Sequence, residues 1–315
     1  MDRAVVTHAH GDHIAWGCGA YLAAAPGVEV LRRRLDPAAR IRGVPYGEAV
    51  EMGGVRVSLH PAGHILGSAQ VRLEHGGEIW VVSGDYKTEP DPTCTPFEPV
   101  RCHTFITECT FGLPIYRWPA AGGVLADIHA WWRANQLAGK TTLLFGYALG
   151  KAQRLIAGLD PAVGPILTHG AVERMTAAYR EAGVPLPPTT HVAASDRATW
   201  KRAIVVAPPS TDGSTWARRF GAQATALASG WMAVRGARRR SAVDRGFVIS
   251  DHVDWPHLLE AIAQTGAERV WATHGYTGVL ERWLREHGRD ALAIETRYEG
   301  ERDDAAAEAE EAPPP

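Results

Sequence analysis

The densest group of metal-binding side chains lies near the start of the sequence, in the stretch Thr-His-Ala-His-Gly-Asp-His at residues 7–13. Three imidazoles and one carboxylate fall within six positions there: His8, His10, Asp12 and His13. Imidazole nitrogens suit zinc, manganese or iron, and an added carboxylate widens the choice of metal. A polar loop with incidental histidines is the alternative. The density of ligands between an apolar strand (Ala4–Thr7) and a predicted helix (Ile14–Ala25) favours a metal site.

Three further candidate ligands lie in turns or just after apolar runs. His64 lies between glycines, and Asp85 and His274 each follow a short apolar run. Turn capping explains any one of them equally well. Together with the first group, they complete the five histidines and two aspartates that a site for two metal ions needs.

The elements that must position these residues alternate between strand and helix. The first half reads as short strands separated by Gly-rich turns, such as Val55–Leu59 and Ile79–Ser83. The middle continues with a helix over Val124–Ala138, a strand over Thr141–Phe145 and a helix over Gly150–Leu159. This order is typical of a parallel sheet, and it predicts an α/β domain interrupted by a second α/β insertion.

Seven segments between residues 3 and 276 carry a recognisable set of motifs. They are RAVVTHAHGDH (3–13), PAGHILGSA (61–69), SGDYK (83–87), FGYALGKAQRL (145–155), ASGW (228–231), SDHVDW (250–255) and THGY (273–276). Together they resemble the β-CASP nuclease branch of the metallo-β-lactamase superfamily, and within it the ligase-associated DNA exonucleases. The resemblance implies a metallo-β-lactamase αββα sandwich with an inserted β-CASP α/β domain.

The resemblance also implies a domain organisation. The metallo-β-lactamase domain would occupy residues 1–117 and return at 245–300, with the β-CASP insertion at 118–244. An acidic tail, 301–315, is expected to be disordered. Because this fold normally opens with further strands before the first histidine motif, we expect that the gene start is assigned too late.

Two divalent ions, Zn²⁺ or Mn²⁺, are the cofactors that the resemblance implies. The implied ligands form two sets bridged by Asp85: His8, His10 and His64 in one, and Asp12, His13 and His274 in the other. Glu108 and His252, each directly after an apolar run, resemble the Glu and His motifs of the β-CASP branch. An exposed turn carboxylate and a helix N-terminal residue are the alternatives for these two.

These features predict a metal-dependent nuclease that hydrolyses phosphodiester bonds in DNA. Two metal ions would activate a water molecule near neutral pH and neutralise the phosphate oxygens. His252 is the candidate general acid for the 3′ leaving oxygen, with Glu108 holding its other ring nitrogen, and Asp12 belongs to the same catalytic set. The resemblance implies this pairing, a 5′-phosphate product, and a role in DNA repair beside an ATP-dependent ligase and a helicase.

Candidate substrate contacts are polar groups at two turns and one arginine run: Gly150, Lys151, Ser229, Gly230, Arg238, Arg239 and Arg240. The first two open a predicted helix, whose backbone N–H groups and cation suit a phosphate. Ordinary turns, and a solvated loop for the arginines, are the alternatives. In a nuclease, contacts with the phosphate backbone are the hypothesis that fits.

Composition narrows the function classes. The net charge of the 315 residues is −2, but residues 301–315 hold six acidic residues and one arginine, so residues 1–300 carry +3. The four cysteines form no CxxC pair, which argues against a zinc knuckle or a disulfide framework. The sequence contains no apolar run of about 18 residues and no signal peptide, so we expect a cytoplasmic protein without membrane contact.

Two other functions stay open. A β-CASP ribonuclease of the mRNA 3′-end processing or RNase J type would share the phosphate contacts, because recognition of the 2′-OH leaves no short motif. An inactive β-CASP scaffold subunit is the other alternative, although the complete ligand set and the Glu108–His252 pair argue against it.

Overall fold

The computed structural model describes residues 2–236 and 242–294, and the chain divides into two compact units. The first unit comprises residues 2–117 with 251–294, and the second comprises the described residues of 118–250. The predicted arginine contacts, Arg238 to Arg240, and the acidic tail lie outside the described residues.

Sixteen strands and seven α-helices are described. The strands are β1 (Arg3–Val5), β2 (Ala20–Ala24), β3 (Arg40–Val44), β4 (Ala49–Met52), β5 (Val55–Pro61), β6 (Ala69–His75), β7 (Glu78–Val82), β8 (Thr104–Cys109), β9 (Thr141–Phe145), β10 (Ile166–Thr168), β11 (Thr190–His191), β12 (Ile204–Ala207), β13 (Gln223–Ala228), β14 (Arg245–Phe247), β15 (Arg269–Gly275) and β16 (Asp290–Ala293). The helices are α1 (Val28–Arg32), α2 (Ala121–Leu137), α3 (Lys151–Gly158), α4 (Gly170–Glu181), α5 (Thr215–Arg218), α6 (Trp255–Thr265) and α7 (Thr277–Glu286).

A seven-stranded mixed sheet forms the centre of the first unit, in the order β16-β15-β8-β7-β6-β5-β4. Strands β4 to β7 pair antiparallel, whereas β7, β8, β15 and β16 pair parallel. Parallel strands end at the same edge of a sheet. Three predicted site residues, Asp85, Glu108 and His274, therefore lie near one edge, within or just after the C-terminal ends of β7, β8 and β15.

The first unit buries both faces of this sheet. Val81 and Phe105 pack in one core with Leu258 of α6 and Leu280 of α7. In the other core, residues of β5 and β6 pack with Leu22 of β2, which belongs to a three-stranded parallel sheet of order β1-β2-β3. A layer of helices, a large sheet and a small sheet thus support the edge where the site residues lie.

The second unit is built on a six-stranded parallel sheet in the order β11-β10-β12-β9-β13-β14. Every residue of its central strands β9 and β12 is buried, which explains the apolar sequence of β12 and of the Leu-Leu-Phe end of β9. Leu144 packs in one core with the fully buried Trp132 of α2, and Leu143 packs in a second core with Phe220. The parallel and mixed sheets of the two units confirm the predicted α/β class.

The helix predicted over Ile14–Ala25 is wrong. This segment instead contains a loop and strand β2, which pairs parallel with β1 on one side and β3 on the other. Gly17 has a φ of +81°, which interrupts a helix, and Leu22 is buried in the core between the sheets. Tertiary pairing therefore overrides the helical preference of this alanine-rich stretch. Of the helices in the described ranges, none combines the length and apolar character needed to cross a bilayer.

Candidate metal centre

Three histidine ring nitrogens and one carboxylate oxygen converge in the first unit. His10 Nδ1 lies 3.1 Å from His8 Nε2 and 3.1 Å from His64 Nε2. Asp85 Oδ2 lies 3.5 Å from His8 Nε2 and 3.8 Å from His64 Nε2. All four residues are buried, and one ligand atom from each lies within 4.8 Å of the others.

A backbone hydrogen bond of the His64 ring leaves the lone pair of its Nε2 facing this group. Its Nδ1 lies 3.0 Å from the backbone oxygen of Asp251, which can only accept, so Nδ1 carries the proton of the neutral ring. Burial, together with the charges of His252 and His10, lowers the pKa of His64 well below its usual value. Burial and the charge of His13 likewise lower the pKa of His8. Neutral imidazole is the form that binds a metal ion.

A second group consists of Asp12, His13 and His274. His13 Nε2 lies 3.6 Å from Asp12 Oδ2, and the rings of His13 and His274 stack with centroids 5.3 Å apart. Asp85 lies between the two groups, because its Oδ1 is 3.3 Å from His13 Nε2 while its Oδ2 faces His8. Burial acts to raise the pKa of Asp85, but the charges of His13 and His252 outweigh it and hold that pKa well below its usual range.

The donor set and its spacing fit divalent metal ions. Zinc binds nitrogen and oxygen ligands at about 2.0–2.2 Å, which sets neighbouring ligands of a tetrahedral ion about 3.3 Å apart. The contacts of 3.1–3.8 Å in the first group agree with this spacing. Among the described residues, the buried Nε2 of His274 has no hydrogen-bond partner. A role of this nitrogen as a metal ligand would explain that. These clustered histidines and aspartates could therefore bind metal ions, and nitrogen–oxygen sets accept both zinc and manganese.

A buried thiol supports the strained backbone of His274. The φ of His274 is +56°, in the left-handed region, and β15 shifts its register against β8 at this point. The Cys109 thiol donates a hydrogen bond to the backbone oxygen of His274, with Sγ and O 2.9 Å apart. Gly275 has a φ of +86°, and a Cβ there would lie 2.3 Å from the Cys109 oxygen, so only glycine fits. Cys109 thus contributes to the position of the His274 ring.

Glu108 and His252 form a buried hydrogen-bonded pair, with Oε1 and Nδ1 2.8 Å apart. The carboxylate is fixed by two backbone N–H groups, that of Tyr86 on Oε1 and that of Thr110 on Oε2, both at 3.1 Å. The other ring nitrogen, His252 Nε2, lies 3.9 Å from Asp85 Oδ2. Glu108 therefore orients the ring so that Nε2 lies on the side of the metal ligands.

The predicted substrate residues of the second unit lie after two neighbouring strands. Gly150 and Lys151 follow β9, and Ser229 and Gly230 follow β13, which pairs with β9. Lys151 is fully buried, and its Nζ lies 3.5 Å from the backbone oxygen of Ile249. The cation thus faces a carbonyl within its own unit, a contact that the sequence did not indicate.

Ser229 has a capping contact in the same unit. Its Oγ accepts the N–H of Trp231 at 3.3 Å, at the start of a 3₁₀ turn that includes Gly230. Ser229 and Gly230 are both buried. A phosphate contact by the residues after β9 and β13 stays a prediction, as does one by Arg238, Arg239 and Arg240.

Sequence reasoning missed the residues that support the ligands from outside the motifs. Cys109 contacts His274 across 165 positions of the chain, and Asp251 contacts His64 across 187. The only available signal was that Cys109 and Asp251 each adjoin a motif residue, Glu108 and His252.

Comparison with known proteins places this geometry in context. No protein-family model matches the chain. It is 36% identical over 296 residues to a protein named probable DNA ligase from Opitutus terrae, a match covering 93% of this chain and 28% of that protein. It is 33% identical over 125 residues to endoribonuclease ysh1 of Schizosaccharomyces pombe, covering 38% of this chain and 16% of that protein. A solved structure of a protein of unknown function from Enterococcus faecalis aligns with a TM-score of 0.58 at 11% identity, covering 94% of this chain and 79% of that one.

The chain spans less than a third of the length of these two curated relatives. The solved structure, at 11% identity, shows a shared α/β fold alone. The sequence relatives support the metallo-β-lactamase superfamily, in its β-CASP branch, for this chain. These relatives therefore support the superfamily that the motifs indicate, and they do not select one family within it.

Proposed function

We propose that this chain is a metal-dependent nuclease, and specifically a DNA exonuclease of the ligase-associated type. The observation that carries the proposal is the position of Asp85. One of its oxygens faces the group of His8 and His64, and the other faces His13 of the second group. A carboxylate shared between two ligand groups is the arrangement that a two-metal hydrolase needs.

Each ligand group would hold one ion. His8, His10 and His64 would bind one, Asp12, His13 and His274 the other, and Asp85 would contact both. Bound there, two divalent ions supply an activated water and Lewis-acid neutralisation of the phosphate charge. In this proposal the first unit is the metallo-β-lactamase αββα domain, and the second unit is the inserted β-CASP domain.

The Glu108–His252 pair would serve the leaving group. Hydrolysis breaks the bond between phosphorus and the 3′ oxygen, and that oxygen needs a proton as it leaves. His252 would donate the proton from Nε2, because Nδ1 is engaged by Glu108 at 2.8 Å. The products are then a 3′-hydroxyl and a 5′-phosphate, and the Nε2 proton is restored from solvent.

DNA is the substrate that the longer similarity favours. The match to the protein named as a probable ligase covers 93% of this chain, whereas the match to endoribonuclease ysh1 covers 38%. The second name makes RNA the other candidate. A role in DNA repair beside a ligase and a helicase, in the cytoplasm, belongs to the same proposal.

The experiment is a comparison of labelled single-stranded DNA, duplex DNA and RNA of one sequence, incubated with the full chain and Mn²⁺ or Zn²⁺. The proposal expects stepwise shortening of DNA to products with 5′-phosphates. Faster cleavage of RNA would transfer the assignment to the ribonuclease alternative. Cleavage of none of the three, by a protein with metal bound, would refute the nuclease assignment.

A further inference from the structure

An exposed tryptophan is hydrogen-bonded to the loop that carries ligands of both groups. Trp16 follows the ligand motif by three positions and is 55% exposed, which is unusual for so large an apolar side chain. Its indole Nε1 donates a hydrogen bond to the backbone oxygen of Gly11, 3.0 Å away. Gly11 lies between the ligands His10 and Asp12, so the indole is attached to the ligand loop itself.

The backbone on both sides of Trp16 is also fixed. The hydroxyl of Tyr21 donates to the backbone oxygen of Ala15 at 3.0 Å and accepts the N–H of Cys18 at 3.1 Å. Tyr21 is itself 3% exposed, as part of strand β2. The exposed ring is therefore preorganised, because a buried side chain holds the residues before and after it.

The chemistry left to this ring is that of its aromatic faces. The only polar atom of an indole is its N–H, which is already bonded to Gly11. A tryptophan that served the core would be buried, and one held rigidly in solvent loses the rotamer freedom of an exposed side chain without gaining apolar burial. A flat, apolar ligand stacked on the ring accounts for both its exposure and its fixed position.

We propose that Trp16 is a stacking platform for a nucleobase of the nucleic acid that is cleaved at the neighbouring metal centre. This inference rests on the proposed nuclease function. Stacking on an aromatic side chain tolerates every base, because each base has a π-face, so the platform would add affinity without sequence preference.

The test uses Trp16→Ala and Trp16→Phe in the full-length His252→Ala parent, in which cleavage is suppressed. Affinity is measured by fluorescence anisotropy for a labelled thymidylate 15-mer and for an abasic backbone of the same length. Trp16→Ala is expected to weaken binding of the thymidylate strand about 5- to 150-fold, the range that one stacked base contributes. Binding of the abasic strand should stay within about twofold, because it offers no base to stack. Trp16→Phe keeps an aromatic face but lacks the N–H that bonds Gly11, so it should restore part of the loss.

Leu137→Ala removes another exposed apolar side chain, at the end of α2, and is the matched control. Metal content and thermal midpoint should not change in the Trp16 variants. Unchanged affinity of Trp16→Ala for the thymidylate strand, or an equal loss of affinity for the thymidylate and abasic strands, would refute the stacking proposal. If the wild-type chain cleaves DNA and Trp16→Ala binds normally, only this inference fails; if the parent binds DNA and the wild type cleaves nothing, the nuclease proposal fails instead.

Discussion

The pairing of Glu108 with His252 gives the sharpest mechanistic prediction. If Glu108 acts only by holding His252, replacing both residues should cost no more activity than replacing His252 alone. We compare Glu108→Gln, His252→Ala and the double variant with the wild type. The glutamine keeps one oxygen for the ring and the Tyr86 N–H, but it carries no negative charge. Its amide N–H₂ then faces the Thr110 N–H, so that two donors oppose each other.

The magnitudes follow from the contacts. A hydrogen bond to a charged group contributes about 1.5–3 kcal/mol, so Glu108→Gln should lower the cleavage rate about 10- to 150-fold. Loss of a general acid costs about 10²- to 10⁴-fold, which is the expectation for His252→Ala. Independent effects would multiply to at least about 10³-fold, whereas residues that act as a unit give the loss of His252→Ala alone.

The assay is the rate of cleavage of end-labelled single-stranded DNA at saturating substrate. Metal content is measured for each variant, because His252 Nε2 lies 3.9 Å from Asp85 Oδ2 and a loss of metal would mimic a loss of catalysis. Glu286→Gln, an exposed carboxylate paired with Arg282 on α7, is the control and should change the rate less than about twofold. Multiplicative losses at full metal occupancy would refute the reasoning.

Three further changes test the site and the fold. Asp85→Asn removes the charge shared by both ligand groups, so bound metal measured by mass spectrometry should fall to at most one ion per chain; two ions would contradict this. Cys109→Ala should weaken zinc binding in a calorimetric titration, whereas Cys109→Ser retains a donor to the His274 oxygen and should bind zinc as the wild type does. Equal zinc affinities of the two variants would show that Cys109 does not support the metal site. Trp132→Ala, at a fully buried position of the second unit, should lower the free energy of unfolding in urea by about 3–5 kcal/mol, and a loss below about 1 kcal/mol would count against the packing described.

The sequence revealed what is local in this protein. Four ligands within positions 8–13 need only a strand and a tight loop to converge, so their pattern was recognisable without a structure. The α/β class was equally readable, because β12 and the apolar end of β9 are typical of strands in a sheet that is covered on both faces.

What the sequence could not reveal depends on contacts between distant segments. The thiol of Cys109 and the carbonyl of Asp251 matter because strand pairing brings them to His274 and His64. The segment Ile14–Ala25 misled the prediction for the same reason, since its strand forms only between β1 and β3. The burial of Lys151 against the backbone oxygen of Ile249 was likewise invisible in the sequence, and its predicted phosphate contact stays a prediction.

The most direct measurement of the central claim is cleavage of an end-labelled single-stranded DNA by the full chain with and without metal. The account predicts shortened products when Mn²⁺ or Zn²⁺ is bound, no cleavage after chelation, and recovery when the ion is returned. Intact DNA in the presence of a chain that carries two ions would contradict the account.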